Sequence, residues 1–237
     1  MRMLALLACL LPATAAAEGR LSHAFTLYLG GLKVARMQVE AAWDGTRFSG
    51  RSELHMAGLA GFFVSGFYRA EAEGWMEGDS FLPGRFAADT AFRDDRQRVV
   101  VTYRDGAPWR VEADPPFRPR PWQTAPEAQA GTLDPFAAAL TLIRPVPPRL
   151  ACNRSVDVFD GRRRVRIVLG APGWQEGAIR CPGTYVRVAG FPPRTMRKGT
   201  EFPFTAIFAP NAAGLAELRE VFAPTDFGVA VARRIDG

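Results

Sequence analysis

The feature that most constrains the fold is the regular spacing of turn signals between short stretches of alternating apolar and polar residues. In the first half of the chain these stretches are separated by Gly30-Gly31, Asp44-Gly45, Gly78-Asp79 and Asp105-Gly106. Strands that follow one another through short Gly and Asp turns predict an antiparallel sheet, because parallel strands need long crossover connections. We therefore expect a mainly β protein with one strongly curved antiparallel sheet or an open β-barrel.

The strand pattern is interrupted once, near the middle of the chain. Residues 114–131 contain five prolines and predict a loop that crosses between two halves of the sheet. Residues 132–144 predict a helix, since Thr132 or Asp134 can cap its start, and Phe136 and Leu140 recur at helical spacing. We expect this helix to pack against the sheet. Strands resume afterwards, and we interpret 215–222 as a strand rather than a short helix because turn motifs flank it.

The first 17 residues have the layout of a secretory signal, with Arg2, an apolar run and a closing stretch of alanines. We expect cleavage after this segment, leaving residues 18–237 as one mainly β domain in the periplasm. A lipoprotein signal ending at Cys9 is the alternative, although very few apolar residues precede it. No later segment is long and apolar enough to predict a transmembrane helix.

The formal net charge is +6, and it comes almost wholly from arginine, since Lys33 and Lys198 are the only lysines. Along the sequence these arginines are mixed with acidic residues. This pattern is typical of a solvated surface, and it does not indicate a nucleic-acid-binding face.

Removal of the signal would leave two cysteines, Cys152 and Cys181. An even number of cysteines in an oxidising compartment predicts one disulfide between them. The strand pattern places the two cysteines on strands that flank a third, and strands two apart are about 9–10 Å from each other, which is too far for a disulfide. We therefore expect Cys152 to lie outside the regular strand pairing.

The segment VFDGRRRVRI carries four arginines around an Asp160-Gly161 turn signal. A two-residue hairpin turn there would set Phe159 opposite Arg162 and Asp157 opposite Arg164. One face would then carry most of the arginines with Asp157, and Arg163 would point toward the apolar face. This interpretation explains most of the basic run without a ligand.

Catalytic motifs are missing from the sequence. His23 and His55 are the only histidines, and neither has a metal-type partner at the required spacing. The chain has no zinc-peptidase, nucleophile-elbow, P-loop or dinucleotide motif. We expect a protein that is not an enzyme and has no metal or cofactor. An envelope hydrolase stays open as an alternative, and it would need two carboxylates that converge in a cleft.

Aromatic and apolar residues are more numerous than a small sheet obviously needs. They either form the core or line a cavity for an apolar, lipid-like ligand of the cell envelope. The candidate ligand-binding residues are Phe62, Phe63, Phe67, Phe136, Leu140 and, for an acidic head group, Arg163. The alternative function is a structural or interaction protein that binds a protein partner through an exposed strand or through the apolar segment 57–67.

Several segments together resemble the domain of unknown function 3108 family of bacterial envelope proteins: LGGLKVARMQVE, MAGLAGFF, LDPFAAALTLIR, VFDGRRRVRI and CPGTYVRVAGF. This resemblance implies a periplasmic, mainly antiparallel β protein, similar in shape to the open-barrel lipoprotein carriers of the LolA/LolB type. It implies no catalytic residues, because the family has no established activity.

Overall fold

The computed structural model describes residues 18–58 and 66–235. The expected signal segment, 1–17, lies outside these residues. Most of the described chain forms fourteen β-strands, with two α-helices between them. The strands are β1 Glu18–Leu29, β2 Leu32–Asp44, β3 Arg47–Met56, β4 Gly66–Glu77, β5 Ser80–Phe92, β6 Asp95–Arg104, β7 Ala107–Asp114, β8 Arg154–Phe159, β9 Arg164–Leu169, β10 Gly173–Gln175, β11 Ala178–Ala189, β12 Glu201–Pro210, β13 Ala216–Thr225 and β14 Gly228–Ile235. The helices are α1 Pro135–Ile143 and α2 Pro193–Arg197.

All the strands belong to one antiparallel sheet in the order β7-β6-β5-β4-β3-β2-β1-β14-β13-β12-β11-β9-β8, with β10 paired to the start of β11. The pairing of β1 with β14 joins the two halves of the chain. The edge strand β8 receives a short extra bridge from Leu133, whose N–H donates to the carbonyl of Asp157 at 2.8 Å. The sheet therefore curls into an open barrel, and the segment before α1 covers one of its edges. The expected fold class is confirmed.

Because neighbouring strands are antiparallel, alternate loops lie at the same end of the barrel. We call one end the upper rim: it carries the loops that follow β1, β5, β7, β8, β11 and β13. The lower rim carries the loops that follow β2, β4, β6, β9, β10 and β12, and most of the connection after β3 lies outside the described residues. No helix in the described ranges is long and apolar enough to cross a membrane.

Helix α1 packs against the inner face of the sheet and is held at both ends. At its start, Asp134 Oδ1 accepts hydrogen bonds from the N–H groups of Phe136 and Ala137, at 2.7 and 2.9 Å. At its end, the Arg154 guanidinium donates to the carbonyls of Thr141 and, at 3.1 Å, of Leu142. Pro145 follows, and a proline ring cannot continue a helix. The expected helix is confirmed, with a start three residues later than predicted.

The main core cluster is built from α1 and from inner-face residues of both halves of the sheet, and a small second cluster joins Ala138 of α1 to Val156 and Val158 of β8. Phe136 and Leu140 are 3% and 0% exposed. Phe136 lies directly on the backbone of Gly50, where a Cβ atom would come within 2.3 Å of the phenyl ring. The sheet and the helix therefore approach as closely as they do because residue 50 has no side chain.

The sequence prediction for 215–222 is largely confirmed, since β13 covers residues 216–225. The crossing loop is also confirmed, with one short 3₁₀ turn at Pro126–Gln129. Two elements were not predicted, the three-residue strand β10 and the one-turn helix α2. Both are too short to produce a periodic pattern.

The predicted register of the β8–β9 hairpin is wrong by two residues. Phe159 pairs with Arg164 rather than with Arg162, which leaves a loop of residues 160–163. Asp160 Oδ1 causes the difference, because it accepts hydrogen bonds from the N–H groups of Arg162 and Arg163, at 2.8 and 2.6 Å. Side-chain bonds of this type stabilise a longer turn than the two-residue one.

A shift of two residues preserves the faces of a strand, because side chains alternate with a period of two. Asp157 therefore still faces arginines, although its direct partner is Arg166. The Asp157 carboxylate binds Arg166 at 2.9 and 3.0 Å and Arg164 at 3.1 Å. These bonds hold the pKa of Asp157 below its usual range, even though partial burial alone would raise it. The interpretation of the arginine run as part of a hairpin is confirmed.

Cys152 and Cys181 form a disulfide, with their Cα atoms 5.5 Å apart. Cys181 lies in β11, whereas Cys152 precedes the first residue of β8. The strand β9 lies between β8 and β11 and ends at Leu169, so it does not separate the two cysteines. The prediction that Cys152 lies outside the regular pairing is confirmed.

Candidate functional site

The inner face of the sheet is completely buried near α1 but only half-buried toward the upper rim. On four adjacent strands the buried residues are Phe25, Val39, Ser52 and Ala70. One pleat nearer the upper rim, the inner-face side chains are half-buried and apolar or aromatic. This surface, which we call the apolar band, is formed by Leu27, Met37, Leu54, Tyr68, Phe204 and Val221.

The strand register makes the apolar band continuous. Leu54 pairs with Met37 on one side and with Tyr68 on the other. Across the junction between the halves, Leu27 and Val221 both pair with Ala232. The band therefore runs along several neighbouring strands, above the residues that pack on α1. Simple alternation predicts these positions, but which of them stay half-buried depends on how the sheet curls.

The structure does not bring all the predicted ligand-binding residues together in one site. Phe136 and Leu140 lie together in the core. Phe67 lies on the opposite face from its neighbour Tyr68, with the Arg69 guanidinium 5.0 Å from the centre of its ring. Arg163 is exposed in the loop after β8, and its guanidinium is 5.3 Å from the ring centre of Phe191. The expectation that Arg163 lies on the apolar face is therefore wrong.

Phe62 and Phe63 lie outside the described residues. Ligand binding by any of the predicted residues therefore stays a prediction.

A buried polar cluster lies beside the apolar band, at the start of α1. It consists of Asp134, Tyr103 and Thr132, which are at most 5% exposed, and it adjoins Tyr68 of the band. Burial raises the pKa of both phenols well above the ordinary value, and the nearby Asp134 carboxylate raises it further. Both tyrosines therefore stay neutral, and each keeps a hydroxyl proton that it can donate.

Asp134 occupies an unusual position for a carboxylate. Oδ1 serves as the helix cap, while the buried Oδ2 has no hydrogen-bond partner among the residues that the structure describes. The hydroxyl of Tyr103 has no partner of good hydrogen-bond geometry within these residues, although Thr132 lies close enough to it to lower its pKa slightly. Burial raises the pKa of Asp134 to about 7, although the hydrogen bonds from Ala137 and Phe136 lower it. The sequence identified Asp134 only as a cap, because its burial depends on the surrounding sheet.

A second polar cluster joins β1, β13 and β14. His23 Nε2 lies 3.0 Å from Glu217 Oε1, and Arg234 forms an ion pair with the same oxygen. Burial lowers the pKa of His23, even though Glu217 raises it. The cluster borders a depression of about 380 Å³. The Arg234–Glu217 ion pair and the His23–Glu217 hydrogen bond bridge the strands where the two halves of the sheet meet, so the geometry of the cluster indicates a structural role.

The outer face of β1–β5 forms a depression of about 780 Å³. It is lined by side chains of both charges, including Glu40, Glu71, Glu73, Arg20 and Arg51. Glu40 and Arg51 form an exposed ion pair at 2.7 Å. Such a surface suits solvent better than an apolar ligand, and a hydrolase built on its carboxylates stays an untested alternative. Within the described ranges, no group of three or more His, Cys, Asp or Glu residues could hold a metal ion.

Three comparisons relate the chain to known proteins. A search of curated proteins finds no match. Among solved structures, the chain is similar to the crystal structure of a β-barrel-like protein of domain of unknown function DUF1849 from Brucella abortus. The two are 11% identical, with a TM-score of 0.48, over 94% of this chain and 98% of that one. The model of the DUF3108 family, described as a protein of unknown function, matches residues 24–173, and the chain therefore belongs to this family.

Proposed function

We propose that the protein is a non-catalytic periplasmic protein that binds or carries an apolar, lipid-like ligand along the apolar band. The observation that carries this proposal is the continuity of the band, since all six of its side chains are half-buried and lie on one face of the sheet. Apolar surface gains roughly 25 cal/mol for each Å² that a ligand removes from water. An alkyl chain is the ligand that such a surface favours.

The buried polar cluster suggests which end group the ligand carries. Asp134 Oδ2 can accept a hydrogen bond, and Tyr68 and Tyr103 can donate one. A neutral group with both a donor and an acceptor, such as a hydroxyl or an amide, fits this set. An anionic head group fits it poorly, because the carboxylate would repel it.

The periplasmic part of the proposal rests on the N-terminal sequence pattern and is supported by the disulfide. A bond between Cys152 and Cys181 is compatible with an oxidising compartment outside the cytoplasm. Immunoblotting of periplasmic and cytoplasmic fractions tests this location. Recovery of the protein in the cytoplasmic fraction would contradict it.

The ligand proposal is tested by organic extraction of the purified protein, with mass spectrometry of the extract, and by titration with a fluorescent naphthylamine probe. We expect a bound lipid and a fluorescence increase. Leu54→Gln and Met37→Gln each place a polar group in the band and should weaken probe binding by roughly tenfold, as expected when about 1–2 kcal/mol of apolar contact is lost.

The matched control is Leu150→Gln, which changes a leucine that is 44% exposed and does not belong to the band. It should bind the probe like the unmodified protein. An extract without lipid together with no fluorescence change would contradict the proposal. An equal loss in Leu150→Gln would also contradict it, because the binding would then not be located at the band.

A further inference from the structure

Three loops that are distant in the sequence lie side by side on the upper rim. They are residues 115–124 after β7, 160–163 after β8 and 190–200 after β11. The Arg162 guanidinium is 5.3 Å from the ring centre of Phe117, and the Arg163 guanidinium is 5.3 Å from that of Phe191. The middle loop therefore contacts the loop on each side of it. We call these three loops together the basic rim.

The basic rim carries a large net positive charge, whereas the charges of the remaining residues nearly cancel. It contains seven basic residues, Arg118, Arg120, Arg162, Arg163, Arg194, Arg197 and Lys198, and one acidic residue, Asp160. Seven positive charges less one negative charge give +6, which equals the formal net charge of the whole chain. The remaining residues therefore sum to zero, and to −1 once Arg2 is removed with the expected signal segment, so the excess positive charge of the protein is located at one end of the barrel.

The side chains of the basic rim are available to a partner. The seven basic residues are exposed except Arg162, which is partly buried. Within the described part of the chain, none of the seven forms an ion pair. The one carboxylate in these loops, Asp160, already accepts two backbone hydrogen bonds. This contrasts with Arg164 and Arg166 on the neighbouring strand, which both form ion pairs with Asp157.

Exposed apolar turns continue the same rim. Going around the barrel from the 190–200 loop, the next two loops join β13 to β14 and β1 to β2. Phe227 in the first is 79% exposed, and Leu32 at the end of the second is 61% exposed. The two loops are linked by a hydrogen bond of 3.0 Å from Gly30 N–H to the carbonyl of Val229.

We propose that the upper rim docks on the surface of a membrane that contains anionic phospholipids. The basic rim binds the phosphate groups, and Leu32 and Phe227 enter the interface between head groups and acyl chains. A combination of clustered basic residues and exposed apolar residues is what such surfaces bind, through charge attraction and apolar burial together. The proposal does not depend on the proposed ligand, although the apolar band lies toward the same rim.

The test is co-sedimentation of the purified protein with two kinds of vesicle. One kind is pure phosphatidylcholine, and the other is equal parts phosphatidylcholine and phosphatidylglycerol. We expect binding to the anionic vesicles only, and loss of this binding at high salt, because salt screens surface charges. The triple variant Arg194→Gln, Arg197→Gln, Lys198→Gln should reduce the apparent affinity by roughly a hundredfold, since each basic residue near an anionic surface contributes about 1 kcal/mol.

A control triple variant removes the same number of positive charges as the first triple variant, but from the lower rim. It combines Arg47→Gln, Arg104→Gln and Arg149→Gln, three exposed residues at that end. Its affinity should stay close to that of the unmodified protein. An equal loss in both triple variants would overturn the proposal, because binding would then follow net charge alone. Failure to sediment with anionic vesicles, or equal sedimentation with both kinds, would also overturn it.

The apolar turns have a separate test. Phe227→Ser and Leu32→Ser should each weaken binding to the anionic vesicles, and Trp174→Ser should not. Trp174 is 67% exposed and lies in β10, at the lower end of the sheet. All three side chains are mostly exposed, so the variants should fold. A larger loss of vesicle binding in Trp174→Ser than in the two rim variants would place the membrane contact at the lower end of the barrel and contradict the proposal.

Discussion

The substitution Asp134→Asn should make the protein more stable at neutral and alkaline pH. Asparagine keeps an oxygen that can accept the hydrogen bonds from Phe136 and Ala137, so the helix cap is preserved. It replaces the unpaired Oδ2 by an amide that can donate, and it removes the charge. Burial is the largest influence on the Asp134 carboxyl, and a carboxylate is costly in a dry interior.

The size of the effect follows from the pKa. The pKa of Asp134 rises from its ordinary 3.8 to about 7 on folding. Below about pH 4 both states hold the proton and the carboxyl has no effect. Between the two values the unfolded chain loses the proton while the folded chain keeps it, so the free energy of unfolding falls with rising pH. The difference between the two pKa values corresponds to roughly 4 kcal/mol. Above about pH 7, the Asp134 carboxyl therefore lowers the free energy of unfolding by that amount, relative to its value below pH 4.

The assay is urea unfolding of both proteins at a series of pH values from 4 to 8. The measured quantity is the free energy of unfolding of Asp134→Asn minus that of the unmodified protein at the same pH. This difference cancels the titration of every other group. We expect it to rise by several kcal/mol across the series. A difference that stays flat would refute the reasoning, because it would mean that the buried carboxyl titrates as it does in the unfolded chain.

Asp44 offers the opposite case with the same local geometry. Its Oδ1 also accepts backbone hydrogen bonds from residues two and three positions ahead, Thr46 and Arg47. It is fully exposed, and these bonds lower its pKa to about 2. Its stabilising contribution is therefore present above about pH 4 and is lost as the pH falls toward 2. Asp44→Asn should show a difference of opposite sign, which separates the effect of burial from that of capping.

Three further predictions test the fold. Gly50→Ala should lower the free energy of unfolding by about 1–3 kcal/mol, because its Cβ would overlap the helix, whereas Gly173→Ala, with its nearest atom at 3.8 Å, should have little effect; thermal unfolding distinguishes them. Replacing both Cys152 and Cys181 by serine should cost about 3–4 kcal/mol in urea unfolding, as expected for a bridge between residues 29 apart. Asp157→Asn should cost about 1 kcal/mol near neutral pH and less as the pH falls through the lowered pKa of Asp157; equal loss at all pH values would contradict the role of its ion pairs.

The architecture was largely predictable because turn residues and alternation are local signals. Gly30-Gly31 and Asp105-Gly106 stand at turns between paired strands, as predicted. The hairpin after β8 shows the limit of this reasoning. Asp-Gly is a strong signal for a two-residue turn, but the Asp160 side chain holds two backbone N–H groups and lengthens the loop. The faces were still assigned correctly for β8 and β9, since the error was an even number of residues.

The candidate site was less predictable, because its residues depend on the curl of the sheet. Phe67 and Tyr68 are adjacent aromatics, and only the pairing shows that Tyr68 belongs to the half-buried inner face. Asp134 is a cap by its sequence position, and nothing local indicates that strands from the other side of the barrel would exclude water from it. A property that arises from distant contacts has no signal in a short window of sequence.

The basic rim shows the same principle for charge. In the linear sequence Arg118, Arg162 and Arg197 are far apart, and the acidic residues near them suggest a mixed surface. The curled sheet brings their loops together, while Asp157 on β8 forms ion pairs with the strand arginines instead of the loop arginines. Charges within about 8–10 Å of one another act on a partner as one field at physiological salt, whereas the same charges dispersed around the barrel would be screened individually. The arginines of the basic rim therefore keep their full charge because the nearby Asp157 carboxylate lies on a strand and pairs with Arg164 and Arg166 instead. The membrane test depends on this separation of the loop arginines from the carboxylate.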